Sequence, residues 1–197
     1  MAELITFKVR DNVDKFAAQL RQLSDDVRDK ATVSALNKMA AQVKTQASRA
    51  IRDAGYNLKA SIIKKQLSMR RATASRLTAS VIATGKTIPI IYYSARQTSR
   101  GVVSVSVLNG RKVFKNAFIA TMPSGHKGVF VRVGPKIPGN EAKPNRRHWK
   151  YQKIEEKFGP GIPDALANEA VTAALTTLVQ DKFPTLIANE IKYFTPK

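Results

Sequence analysis

Residues 101–133 read GVVSVSVLNGRKVFKNAFIATMPSGHKGVFVRV, and this stretch decides the fold class. From Gly101 to Leu108, Val103, Val105 and Val107 alternate with Ser104 and Ser106, the period of a strand with one buried face. Asn109-Gly110 is the pair that a two-residue hairpin favours, because both turn residues need positive φ. A return strand then runs from Arg111 to Thr121, Ser124-Gly125 supplies a second turn, and Val129 to Val133 forms a last strand. Upstream, Leu77 to Thr84 alternates in the same way, with Leu77, Ala79, Val81 and Ala83 on one face. Ile88 to Tyr93 is a further run in which Pro89 argues for an edge position. The pattern predicts a small, mostly antiparallel sheet of four to five strands, apolar on one side.

Helical periods flank this centre. After a short strand from Leu4 to Val9, Val13, Phe16, Leu20 and Leu23 fall at three- and four-residue spacing. Ser24-Asp25-Asp26 reads as a new helix start, its carboxylates suited to the positive end of the helix dipole. Val27, Ala31, Ala35, Met39, Val43, Ala47, Ala50 and Ala54 then make a narrow stripe of mostly small residues, and Gly55 offers a left-handed cap. Such a helix is roughly 45 Å long at 1.5 Å per residue. It is expected to cover the buried face of the sheet. Asn57 can cap a shorter helix with Leu58, Ile62, Ile63 and Leu67 inward and Lys59, Lys64, Lys65, Arg70 and Arg71 outward. Beyond Pro163 the stripe Leu166, Ala170, Val171, Leu175, Leu178, Val179 continues as Phe183, Leu186, Ile187, Ile191 and Phe194 across Pro184, which predicts a C-terminal helix kinked near that proline. The fold class is α+β in one domain over residues 1–197. Residues 1–72 are mainly helical, 73–133 sheet, 134–162 basic loop and turn, and 163–197 helix.

Charge is distributed unevenly. The chain carries a formal +20, and residues 56–140 hold fifteen Lys/Arg with no Asp or Glu. Charges gathered in this way repel one another until a negative partner arrives. The loop from Gly134 to Lys153 adds Arg146, Arg147 and Lys150, interleaved with Trp149 and Tyr151, aromatics that either pin the loop to the body, the more ordinary reading, or serve as stacking platforms. Candidate polyanion or partner contacts are therefore Lys59, Lys64, Lys65, Arg70, Arg71, Arg111, Lys112, Arg146, Arg147 and Lys150. A solvated basic face is the ordinary explanation of each run, and polyanion contact the sharper one.

Little in the chain suggests catalysis. There is no cysteine, hence no disulfide and no thiolate chemistry. His126 has no acidic residue near it in sequence, so a zinc site lacks a ligand set, and Glu155-Glu156 reads as ordinary surface. Gly125-His126-Lys127-Gly128 lacks the spacing of a phosphate-binding P-loop. No catalytic residue, metal or cofactor is expected. No apolar run approaches the roughly 18 residues of a membrane span. Met1-Ala2-Glu3-Leu4 lacks a secretory pattern, and synthesis in a cytoplasm is expected.

Two segments are distinctive. Gly125-His126-Lys127-Gly128-Val129-Phe130-Val131-Arg132, followed by Phe158-Gly159-Pro160-Gly161-Ile162-Pro163, resembles the minor tail protein Z family of tailed bacteriophages. The motif positions are Gly125, His126, Gly128, Phe130, Arg132, Phe158, Gly159, Pro160 and Pro163. Gly161 stands where the family usually has serine, and Lys153 to Lys157 lacks a proline often found there. The resemblance implies a virion structural protein that completes the tail at its head-proximal end and supports head-tail joining and DNA passage. It also implies a homo-oligomeric ring, a hexamer, beside a tail terminator or tube and a connector, with non-specific contact to genomic DNA in the channel. The alternatives are a non-specific nucleic-acid-binding protein of a mobile element and an assembly factor absent from the finished particle.

Overall fold

Asp25–Asp53 forms one helix, α1, and its stripe of small side chains sets the helical part of the fold. The computed structural model describes residues 4–5, 24–137 and 151–195. They fall in two compact units, Met1–Lys86 with Gly161–Lys197, and Thr87–Pro160. The helical reading of Val13 to Leu23 lies outside the described residues.

In the first unit, α1 starts after Ser24 with Asp25 and Asp26 in its first turn, ion-paired to Arg28 and Lys30 at 2.7 Å each. It ends in a Schellman motif. Gly55 takes φ +93°, its N–H donates to Arg52 O, and Tyr56 N–H donates to Ile51 O. Ala31, Ala35, Met39, Ala40, Val43, Ala47 and Ala50 are buried. The helix touches a sheet, as the sequence pattern suggested, through the strands Leu67–Arg70 and Ser80–Ala83, but this is its lesser contact. Its chief neighbour is α4 (Glu169–Phe194), and alanines let the two backbones approach while Val171, Leu175, Val179 and Ile187 fill the seam. Each fully buried Leu or Ile there contributes about 2 kcal/mol.

The C-terminal region is two helices, and the break between them falls at Ala167 and Asn168, not at Pro184. A short helix α3 (Ile162–Leu166) ends at Ala167, and Asn168 caps α4 by accepting a hydrogen bond from Ala170 N at 3.0 Å. Asn168 is a strong N-cap, which explains the break. Pro184 then lies inside an unbroken α4. Its missing N–H would leave the carbonyl of Gln180, an exposed residue that water can serve.

The expected second helix is also shorter. It runs Ala60–Gln66 (α2) with Lys59, not Asn57, at the N-cap. Gln66 O accepts the N–H of Thr84 at 3.0 Å, and Leu67 turns extended instead of continuing the helix. Leu67–Arg70 (β2) pairs with Ser80–Ala83 (β3), which also pairs with Leu4–Ile5 (β1).

The second unit holds the remaining strands, and they do not form the single sheet of four to five strands that the alternation predicts. Among the described residues the protein has four separate small antiparallel sheets, ordered β1-β3-β2, β5-β6-β7, β8-β9-β10 and β4-β11. The last three comprise Ile88–Pro89 (β4), Arg96–Ser99 (β5), Val102–Val105 (β6), Lys112–Lys115 (β7), Ala117–Thr121 (β8), Lys127–Ile137 (β9), Tyr151–Glu156 (β10) and Phe158–Gly159 (β11). One residue accounts for much of the difference. Asn116 takes φ +59°, a left-handed conformation asparagine tolerates, and it divides the run Arg111 to Thr121 in two. Before it β7 pairs with β6, and after it β8 pairs with β9.

Other local chemistry shortens the strands further. Ile88 to Tyr93 becomes a two-residue strand followed by a 3-10 turn, Ile90–Tyr92; Ile90 N–H still donates to Lys157 O, but Lys157 N–H turns to Val129 O, and the ladder with β11 ends there. Asn109 and Gly110 do adopt positive φ, +31° and +135°. Their hairpin is wider than two residues, since its last pair is Val105 with Lys112 and Ser106 N–H donates to Tyr93 O. The segment Gly134 to Lys153, read as loop, has strand at both ends, with β9 reaching Ile137 and β10 starting at Tyr151.

Candidate functional site

The Gly-His-Lys-Gly segment is a turn followed by a strand whose alternate side chains share one face. Gly125 sits at φ +82°, its N–H donates to Met122 O, and Met122 N–H donates to His126 O, closing the β8–β9 hairpin. With a period of two, His126, Gly128, Phe130 and Arg132 then point the same way. Phe130 is buried, its ring centroid 6.1 Å from that of Phe118, its cross-strand partner, and 6.5 Å from His126 edge-on. Arg132 lies over the Phe118 ring at 5.1 Å, a cation–π contact. The motif is therefore a packed face in which each residue type has a job.

Glu156 completes that face, against the sequence expectation. It lies opposite Phe130 on β10, and its Oε1 is 2.9 Å from His126 Nε2 with only 17% of its side chain exposed. Thirty residues of sequence separate the pair, so no local signal could join them. Gly128 leaves the space: a Cβ there would stand 2.6 Å from Glu156 Oε1 and 3.0 Å from Phe130 Cζ. Because the carboxylate is the far end of a flexible side chain, Gly128→Ala is expected to cost about 1 kcal/mol by moving Glu156 off His126. Urea midpoints test this, and in a Glu156→Ala background the same substitution is expected to cost clearly less, the remainder being set by the Phe130 ring.

The Phe-Gly-Pro segment is built around a tyrosine that sequence reading placed only at the end of an edge strand. Gly159 pairs with Ile88, and a Cβ on it would meet Tyr93 Cε2 at 2.6 Å. Tyr93 is fully buried and donates its hydroxyl hydrogen to Pro160 O at 2.5 Å. Phe158 is about half exposed at 48%. Gly161 opens α3, and its N–H donates to Asp164 Oδ2 at 2.7 Å while Pro163 is buried in the first turn. That is an N-cap position, where the family's usual serine fits the same chemistry. Tyr93 was missed because its partners lie 66 and 67 residues away; only the unexplained glycine hinted at a ring against the backbone.

The described basic candidates are divided between the two units. Lys59, Lys64 and Lys65 are exposed on or beside α2, Arg70 ends β2, and Arg71 follows it, all in the first unit. Arg111 and Lys112 belong to the β6–β7 hairpin of the second unit. Arg146, Arg147 and Lys150, with Trp149, lie outside the described residues. Among the described residues no group of three or more His, Asp or Glu could hold a metal ion.

The chain matches the family described as prophage minor tail protein Z over residues 12–193, most of its length. Neither a curated protein nor a solved structure matches it.

Proposed function

The chain belongs to the prophage minor tail protein Z family and is a structural protein of a bacteriophage tail, not an enzyme; from that premise we propose that it completes the tail at the head-proximal end, as a ring of identical subunits. The observation that carries this reading is the family match across nearly the whole chain, joined to fifteen basic and no acidic residues over 56–140. Tails have rotational symmetry, and a closed ring, six copies in this reading, is how one chain type adapts to it. A ring multiplies the charge of each subunit, so it attracts negative neighbours over a Debye length of about 8–10 Å. Those neighbours are a tail terminator or tube, a connector, and the genome passing through the channel. Lys59, Lys64, Lys65, Arg70, Arg71 and Lys112 are exposed and available for such contacts. No helix among the described residues is long and apolar enough to cross a membrane.

Purified virions test the proposal. Mass spectrometry is expected to find this chain in the particle, and electron microscopy to place its density as a ring at the head-proximal end of the tail. A neck without this chain overturns the position, and a particle without it makes the protein an assembly factor that leaves.

A further inference from the structure

The charges of the second unit are segregated. Its described acids, Glu155 and Glu156, both stand on β10, where Lys153 and His126 engage them. The β5-β6-β7 sheet, in contrast, carries Arg96, Arg100, Arg111, Lys112 and Lys115, all exposed, with no Asp or Glu in the segment that builds it. None of the five is in an ion pair among the described residues.

Register places part of this set on one face. Arg96 pairs with Ser104, Ser104 with Val113, and Val102 with Lys115, so Arg96, Ser104, Val113 and Lys115 project to the same side. Arg111 joins them from the hairpin loop. Its Nε donates to Ser104 Oγ at 2.8 Å, and one terminal nitrogen donates to Ser104 O and Ser94 O at 3.0 Å each. Those acceptors are all neutral. They hold the guanidinium in place without cancelling its charge, and they satisfy Ser104, which is 7% exposed although its strand period made it an outward serine. A positioned, uncompensated guanidinium between two further cations, spread over two strand spacings or roughly 10 Å, has the character of a phosphate-binding surface.

We propose that this face of the β5-β6-β7 sheet, through Arg96, Arg111 and Lys115 with Arg100 at its rim, binds the phosphate backbone of duplex DNA without reading sequence. A protein interface of useful affinity needs an apolar centre with aromatic anchors, and charged residues are depleted there. Here the apolar side chains are exposed Val113 and half-buried Val102, with Leu108 exposed in the hairpin loop; none is aromatic, and the strand β5 contributes no apolar residue at all. A surface of cations and small polar groups suits phosphates better. The inference rests on the tail reading above for the presence of DNA beside the protein.

The test uses the purified full chain, a labelled random duplex of about 20 base pairs, and anisotropy titrations between roughly 50 and 200 mM salt. Arg96→Ala/Arg100→Ala/Lys115→Ala removes three cations that make no side-chain hydrogen bond among the described residues, and its circular dichroism and thermal midpoint should match the parent. Its affinity at about 100 mM salt is expected to fall at least tenfold, and the slope of log K against log salt to shrink by about 2–3. Lys59→Ala/Lys64→Ala/Lys65→Ala removes the same charge from the first unit and is expected to change affinity less than about threefold. Equal losses in the two variants overturn the proposal, because charge and not this face would then govern binding. Failure of the parent to bind duplex while it binds poly-glutamate through the same three residues overturns it in favour of an acidic protein surface. Either failure leaves the virion experiment untouched, so the two readings fall separately.

Discussion

Gly159→Ala is expected to destabilise the protein by about 3 kcal/mol, a fall of roughly 6–12 °C in thermal midpoint for a chain of this size. The added methyl would lie 2.6 Å from Tyr93 Cε2, closer than real Cβ contacts come. What decides the magnitude is whether the neighbour can yield. At Gly128 the obstructing atom is the tip of a carboxylate that can swing toward solvent; at Gly159 it is a ring with no exposed surface. The ring is also tied by its hydroxyl to Pro160 O, one residue along, so it cannot slide without breaking that bond. Overpacking alone costs about 1–3 kcal/mol and loss of the hydrogen bond about 1 more. Tyr93→Phe, which keeps the ring and drops the hydroxyl, should cost only about 1–2 kcal/mol. The pair must be non-additive. With Tyr93→Ala in place, Gly159→Ala should cost under about 0.5 kcal/mol, because the obstruction is gone. An additive cycle would mean that the glycine is required for some reason other than Tyr93.

This pair also shows what the sequence could and could not reveal. The positions of both distinctive segments were legible, since Gly125-His126-Lys127-Gly128 and Phe158-Gly159-Pro160 stand out as short motifs. Their reasons were not, because Tyr93 and Glu156 come from distant strands and only folding brings them to the glycines. The long helix α1 was legible for the opposite reason. Its period repeats over 29 residues, and its terminator, Gly55, acts within the same few residues that signal it. Periodicity identifies a buried face, but it does not name what covers that face. The sheet does touch α1, through β2 and β3, but the chief partner is α4, which the period could not name.

The single sheet failed on a subtler point. No proline or glycine interrupts Arg111 to Thr121, and only the backbone conformation of Asn116 shows that the chain leaves one sheet for another there. A left-handed asparagine is inexpensive, so nothing in the residue types on either side marks it. The basic surface was half legible. Absence of acid over 56–140 needs only counting, whereas the burial of Ser104 beneath Arg111 depends on the hairpin being wider than its Asn-Gly pair implied.

Lys38→Met is expected to destabilise the protein by about 2 kcal/mol at neutral pH, and the deficit should shrink as the solution is acidified. Glu190 on α4 is buried, with 7% of its side chain exposed, and Lys38 on α1 reaches it at 2.5 Å. Burial opposes ionisation of this carboxyl, but hydrogen bonds from Lys38 and Ser34 and the charge of Lys38 outweigh it and hold the group below the usual carboxylate range. A depressed carboxyl contributes stability that is complete above its unfolded pKa of about 4.3 and is lost as pH falls through the lower folded value. Without Lys38 the balance reverses. Burial then dominates, the folded pKa rises above the unfolded one, and the penalty grows as pH increases through it. The two proteins should thus differ most at pH 7 and approach one another below pH about 4. Lys38 is itself 57% exposed, which keeps the expected loss below the 3–5 kcal/mol of a fully enclosed pair. Lys38→Met/Glu190→Gln removes the uncompensated charge and should recover most of the stability, with a gap from the parent that no longer varies with pH. Urea unfolding of the parent and the two variants at pH 4 and pH 7 decides it. A Lys38→Met deficit that is the same at both pH values would show that Lys38 stabilises the α1–α4 seam through its hydrocarbon stem and not through the buried carboxylate.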